Sequence, residues 1–188
     1  MVTNALRRDV ASFVGRHTEL ERIVDSAGAG RVVSIHTIDG MPGVGKTALV
    51  IHAAHQLADR FPDGRYMIEL NAHTPGQSPA DPADVLARLL TGLGIDPRFV
   101  PDTLQERRDL WLDRITGKRV LLVLDDAQDH AQVQPLLPTG GNCLTLITSR
   151  RRLIALERRG PPAVGRARPR HRRRVVHHFG TPRPRHHR

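Results

Sequence analysis

The sequence predicts an α/β fold, a mainly parallel β-sheet layered between helices in a three-layer α/β/α arrangement. Three observations carry this. Short β-branched or apolar runs alternate with segments of helical periodicity between about residues 18 and 148. The run Val120 to Leu124 is apolar on both faces, as a central parallel strand is. A glycine-rich turn, Gly40 to Gly45, joins a strand directly to a helix. With 188 residues, the chain is long enough for one domain with a sizeable core.

Each element has its own signal. Residues 1–10 read as a short polar lead-in. Thr18 to Ser26 is a helix with Leu20, Ile23 and Val24 on one face, stopped by Gly28 and Gly30. Arg31 to Ile38 is short and β-branched, a buried strand. Lys46 to Arg60 is a helix with Leu49, Val50, Ala53, Ala54 and Leu57 inward. Pro62, Asp63 and Gly64 break the chain before a second strand, Arg65 to Leu70. A polar loop, 71–81, leads to Pro82, which suits a helix start, and the helix runs on from Ala83 to Thr91. Thr103 to Thr116 is a further helix carrying Leu104, Leu110, Trp111 and Ile115, with Trp111 expected in the core. Arg119 to Leu124 is the third strand, Gln132 to Leu137 a helical turn, and Cys143 to Thr148 the fourth strand. No internal repeat is present.

Charge is divided unevenly. Of 29 basic side chains, 11 are arginines after Glu157, and none of the 19 acids lies there, so the first 157 residues carry a net charge of −1. The body therefore offers no basic partner-seeking surface. One cysteine, Cys143, excludes an internal disulfide framework and is expected to be a small buried residue. His52 and His55 stand three apart but lack supporting metal ligands. No apolar run spans a bilayer and no secretory signal is visible, so the expectation is a reducing, cytoplasmic setting without membrane.

The glycine-rich turn carries chemistry. Gly40-Met41-Pro42-Gly43-Val44-Gly45-Lys46-Thr47 fits G-x-x-x-x-G-K-[ST], a phosphate-binding P-loop. Glycines let the backbone wrap an anion with no β-carbon in the way, and successive N–H groups point inward. The helix that follows, through Ala48, adds its positive end. Lys46 supplies a point charge toward the β- and γ-phosphates, and the Thr47 hydroxyl is placed to bind magnesium. A strand before the motif and a helix after it are the context it requires.

Val120 to Leu124 ends in Asp125 and Asp126. In open α/β sheets, ligands sit at the carboxyl ends of strands. Asp125 is expected at the magnesium site and Asp126 as the base that polarises an attacking water. The alternative is a pair of solvated loop acids capping the next turn.

Taken in order, Phe13-Val14-Gly15-Arg16 with Glu19, the P-loop, Leu121 to Asp126, and Leu146-Ile147-Thr148-Ser149-Arg150 resemble the NB-ARC domain of STAND ATPases. These are signalling relatives of AAA-like P-loop NTPases. The likeness is to the actinobacterial type found in AfsR-like and LuxR-like regulators and in tetratricopeptide-repeat proteins, and it covers residues 11–156. It implies a cofactor, ADP or ATP with Mg2+, and a latch that rests with ADP and switches on with ATP, with slow hydrolysis. It also implies self-association through the nucleotide domain. Val14 and Arg16 are implied at the adenine end and Arg150 near the γ-phosphate. The alternatives are a surface ion pair for Arg16 and a solvated arginine run for Arg150.

The family pattern stops near Leu156. A fifth strand, expected beside Arg31 to Ile38, is missing from it, which would leave that strand an exposed edge. Residues 157–188, rich in Arg, Pro and His, read as disordered. Their restriction to residues with GC-rich codons suggests an out-of-frame translation, which the coding DNA tests. The competing function is non-specific nucleic-acid binding through these arginines. A metabolic P-loop kinase or transporter ATPase is disfavoured by the motifs on either side of the P-loop.

Overall fold

The computed structural model describes residues 6–9, 15–28, 34–39, 43, 45–139, 143–151, 153 and 175–180. Helix α1 (His17–Gly28) precedes strand β1 (Ser34–Asp39), and helix α2 (Lys46–Gln56) leads to β2 (Gly64–Glu69). Helices α3 (Pro82–Gly92) and α4 (Leu104–Ile115) follow, then β3 (Val120–Ala127), the short α5 (His130–Val133) and β4 (Leu144–Ser149). A fifth strand, β5, spans Val175–Gly180. The sheet order is β2-β3-β4-β1-β5, and each pairing is parallel.

Local chemistry sets the ends of these elements. The Asp81 carboxylate accepts from the Ala83 N–H at 2.7 Å, and Pro82 occupies the first turn of α3. Before α4, Thr103 accepts from the Glu106 N–H at 3.3 Å and donates to the Glu106 carboxylate at 2.6 Å. The helix expected to run from Lys46 to Arg60 instead closes in a separate 3-10 turn, Ala58–Arg60. Pro62 and Gly64 then prevent it from continuing.

Alternation along the strands divides the core in two. On one face, Leu122 and Leu124 of β3 and Tyr66 of β2 pack with Leu86 and Leu90 of α3 and Trp111 of α4. On the other, Leu121 and Val123 of β3 and Leu144 and Leu146 of β4 pack with Leu49, Val50 and Ala53 of α2 and Ile23 of α1. Trp111 is a core residue, as expected. Its ring meets Tyr66 edge-on at 6.3 Å, and its indole N–H donates to the Leu136 carbonyl at 3.1 Å.

One expectation is corrected. β1 is not an exposed edge, and the fifth strand is not missing. Val175–Gly180, within the segment read as disordered, pairs with β1 from Ser34 opposite Val175 to Asp39 opposite Gly180. An open edge presents a row of backbone donors and acceptors, a template for any β-competent segment. Val175, Val176 and Phe179 are such residues. Composition averaged over the arginine-rich tail concealed this run. Residues 154–174 and 181–188 lie outside the described residues, as does the expectation placed on them.

Candidate functional site

The site forms where the carboxyl ends of β2, β3 and β4 meet the first turn of α2. Gly43 and Gly45 have φ of +78° and +79°, in the left-handed region that disfavours a β-carbon. Gly45 caps α2, and its carbonyl accepts from the Leu49 N–H at 3.0 Å. Lys46, Thr47 and Ala48 form the first turn, each partly buried. Gly40, Val44 and Val14 lie outside the described residues.

The P-loop and β3 meet through side chains. The Thr47 hydroxyl lies 2.9 and 3.1 Å from the two Asp125 carboxylate oxygens and donates into that carboxylate. Asp125 is buried, and the Thr148 hydroxyl of β4 also donates to it. That same hydroxyl accepts from the Asp126 N–H at 2.9 Å. Thr148 therefore ties the two neighbouring strands together at the acid pair.

A bulge aims Asp126. Leu124 pairs with Ile147 and Ala127 with Ser149, so β3 carries one more residue than β4 over this interval. Asp126 takes up the mismatch at φ +54°. Side chains at consecutive strand positions ordinarily face opposite ways. Here both Asp125 and Asp126 line one cleft.

Asp126 is held from the loop after β2. Its Oδ2 accepts from the His73 N–H at 2.7 Å, and its Oδ1 lies 3.0 Å from His73 Nδ1. Arg150 donates to the His73 carbonyl at 3.3 Å, and its Nε lies 3.9 Å from Asp126 Oδ1. The cleft has a volume of about 460 Å³ and is lined by the P-loop glycines Gly43 and Gly45, Lys46, Thr47, the two acids, Thr148 and Arg150. Arg7, Glu69 and Thr74 complete it.

Burial lowers the pKa of the Lys46 ammonium, and the positive charges of Arg150 and Arg16 lower it further, against the opposing pull of Asp125 and Asp126. Arg16, at φ +57° just before α1, is thus part of the electrostatic environment of Lys46. Around the cleft, Arg7, Lys46 and Arg150 face Glu69, Asp125 and Asp126, a lining of mixed sign that suits an anion held together with a cation.

Among the described residues, the structure gathers Gly43, Gly45, Lys46, Thr47, Asp125, Asp126 and Arg150 around one cleft. Sequence reasoning missed Thr148, His73, Arg7 and Glu69 as participants. Thr148 had a signal, standing beside Arg150 in the Thr148-Ser149-Arg150 run. His73 had none, because its role depends on the β2–β3 register.

A protein-family model described as an AAA domain matches residues 33–161. The chain is 40% identical over 154 residues to the regulatory protein AfsR of Streptomyces coelicolor, covering 78% of this chain and 15% of that protein. Against AfsR of Streptomyces griseus, it is 41% identical over 150 residues with the same shares. An uncharacterized protein of Mycobacterium bovis is 31% identical over 127 residues, 68% of this chain and 29% of that one. The chain thus spans less than a third of the length of these relatives. Among solved structures, the Aeropyrum pernix ORC1 protein in complex with DNA is similar in fold, with a TM-score of 0.55 at 17% identity over 81% of this chain and 43% of that one. Drosophila ORC bound to DNA matches with a TM-score of 0.54 at 14% identity, over 93% of this chain and 44% of that one.

Proposed function

The chain belongs to the AAA domain family, and from that premise we propose that it binds ADP or ATP with magnesium as the nucleotide latch of a longer regulatory protein. The observation that carries this reading is the contact between the Thr47 hydroxyl and the Asp125 carboxylate. A P-loop hydroxyl and a strand-end carboxylate are the two protein groups that hold magnesium against nucleotide phosphates. Magnesium keeps most of its shell as water and phosphate oxygen, so two protein ligands suffice.

In this reading, the P-loop N–H groups and Lys46 hold the phosphates. Magnesium, when bound, neutralises their charge. Arg150 reaches the γ-phosphate. Asp126 takes the proton of the attacking water while that water's oxygen bonds to the γ-phosphorus and the bond to ADP breaks. His73, gripping Asp126 through both backbone and side chain, limits how freely the carboxylate reorients, which accords with slow turnover.

The finer assignment, an NB-ARC domain of STAND type with Val14 and Arg16 at the adenine, rests on the order of its motifs. Similarity to AfsR supports a place in transcription-regulating signalling. Self-association through this domain and a cytoplasmic site belong to the same proposal. Among the described residues, no helix is long and apolar enough to cross a membrane.

Titration calorimetry with ADP and ATP tests the reading. Lys46→Ala should weaken both by about tenfold or more, as loss of a charge-assisted phosphate contact does. Unchanged affinity would sink it. A second reading, non-specific nucleic-acid binding, is favoured by the 11 arginines after Glu157 and by the DNA-bound fold relatives. Replacing all 11 of these arginines by serine without loss of DNA retention would remove it. Deleting the whole tail is the wrong test, because β5 lies within it.

A further inference from the structure

The lead-in segment does more than precede the domain. Leu6 packs against the core on the α1–α2 side of the sheet. The Arg7 carbonyl accepts from His55 Nε2 at 2.7 Å, and the Asp9 carboxylate meets His52 Nδ1 at 3.0 and 3.1 Å. His52 and His55 stand one turn apart on α2, so both present to the same side of the helix. Residues 6–9 are therefore tied along α2, the helix whose first turn carries Lys46 and Thr47.

The Arg7 side chain leaves this segment and enters the cleft, where its guanidinium pairs with the Glu69 carboxylate. Glu69 is the register partner of Asp125 across β2 and β3. Arg7 accordingly lines the same cleft as the proposed magnesium carboxylate, paired with the strand residue in register with it. Its present partnership is weak in kind: both side chains are about half exposed, at 53% and 44%, and exposed ion pairs contribute little. A phosphate offers the guanidinium fork a planar, doubly hydrogen-bonded match with more charge.

We propose that residues 6–9 form a strap that delivers Arg7 to the cleft, where its guanidinium exchanges Glu69 for the terminal phosphate of bound ATP. The inference rests on the nucleotide-binding reading above and gives that site a means of telling ATP from ADP. With ADP, the guanidinium stays with Glu69. With ATP, it turns to the γ-phosphate, and the strap that carries it is drawn along α2. Nucleotide state thereby reaches the chain that precedes the domain.

The test measures ADP and a non-hydrolysable ATP analogue against the full chain by calorimetry. Arg7→Ala should weaken the ATP analogue by about tenfold and ADP by less than about twofold, the size of one charged phosphate contact. Arg7→Lys, which keeps the charge but not the fork, should fall between. Glu69→Gln should tighten the ATP analogue by releasing Arg7 from its competitor. An ATP-to-ADP ratio unchanged in Arg7→Ala, with a melting temperature equal to the parent's, overturns the proposal and leaves the nucleotide reading standing. If Lys46→Ala binds both nucleotides as the parent does, the nucleotide reading itself has failed and the role of Arg7 falls with it.

Discussion

Asp125 is buried, and it stays satisfied because two hydroxyls, from Thr47 and Thr148, donate to it. Thr148 also accepts the Asp126 N–H. Thr148→Val keeps shape and removes both contacts, so a destabilisation of about 1–3 kcal/mol is expected by urea denaturation. Cys143 is a second residue with a clear physical signature. Burial pushes its thiol up from 9.0 to about 11. The folded state therefore holds the proton more tightly than the unfolded chain. Stability from this group is intact below pH 9.0 and drains away as pH rises through about 11. Denaturation midpoints of the parent should fall over that window, and those of Cys143→Ala should fall less. At pH 8, iodoacetamide should label the native thiol far more slowly than the unfolded one.

Among the elements, α4 shows how a polar helix docks by few contacts. Only Trp111 and Ile115 of its length are buried. Trp111→Ala should cost about 3–5 kcal/mol in chemical denaturation, with loss of both the ring contact and the bond to Leu136. Strand β5 makes a different point. It covers β1 along six residue pairs, and β1 leads directly to the P-loop. A chain ended before Val175 would expose the whole β1 edge. Such a chain should self-associate in light scattering at concentrations where the parent does not. Equal scattering would mean that β5 is not what protects the edge.

For the whole molecule, the cleft is assembled from both layers and three strand ends, so a ligand there ties together parts with separate cores. Nucleotide at about 100 times its dissociation constant should stabilise the fold by about 2.7 kcal/mol. That corresponds to a rise of several degrees in melting temperature, of the order expected for a chain this size. Gly45→Ala should lose the rise, because alanine at φ +79° strains the turn that presents the N–H groups.

The sequence by itself determined the fold class, the first four strands and the residues of the P-loop. Each rests on local physics: period-two and period-3.6 burial, glycine's conformational freedom, and a charged motif between a strand and a helix. It also marked Asp125 and Asp126, because a strand end is legible from where its apolar run stops, whereas Arg150 was marked only by the resemblance of its motif to a known family. Tertiary structure alone decided the rest. The bulge that turns Asp126 into the cleft exists only as a mismatch between β3 and β4. His73 and Glu69 join the site through register with β3, and Arg7 through a strap on α2. Strand β5 pairs with a partner about 140 residues earlier, and nothing in its immediate neighbourhood shows that partner. Pairings over such separations depend on which surfaces the rest of the chain leaves open, and that is a property of the assembled fold.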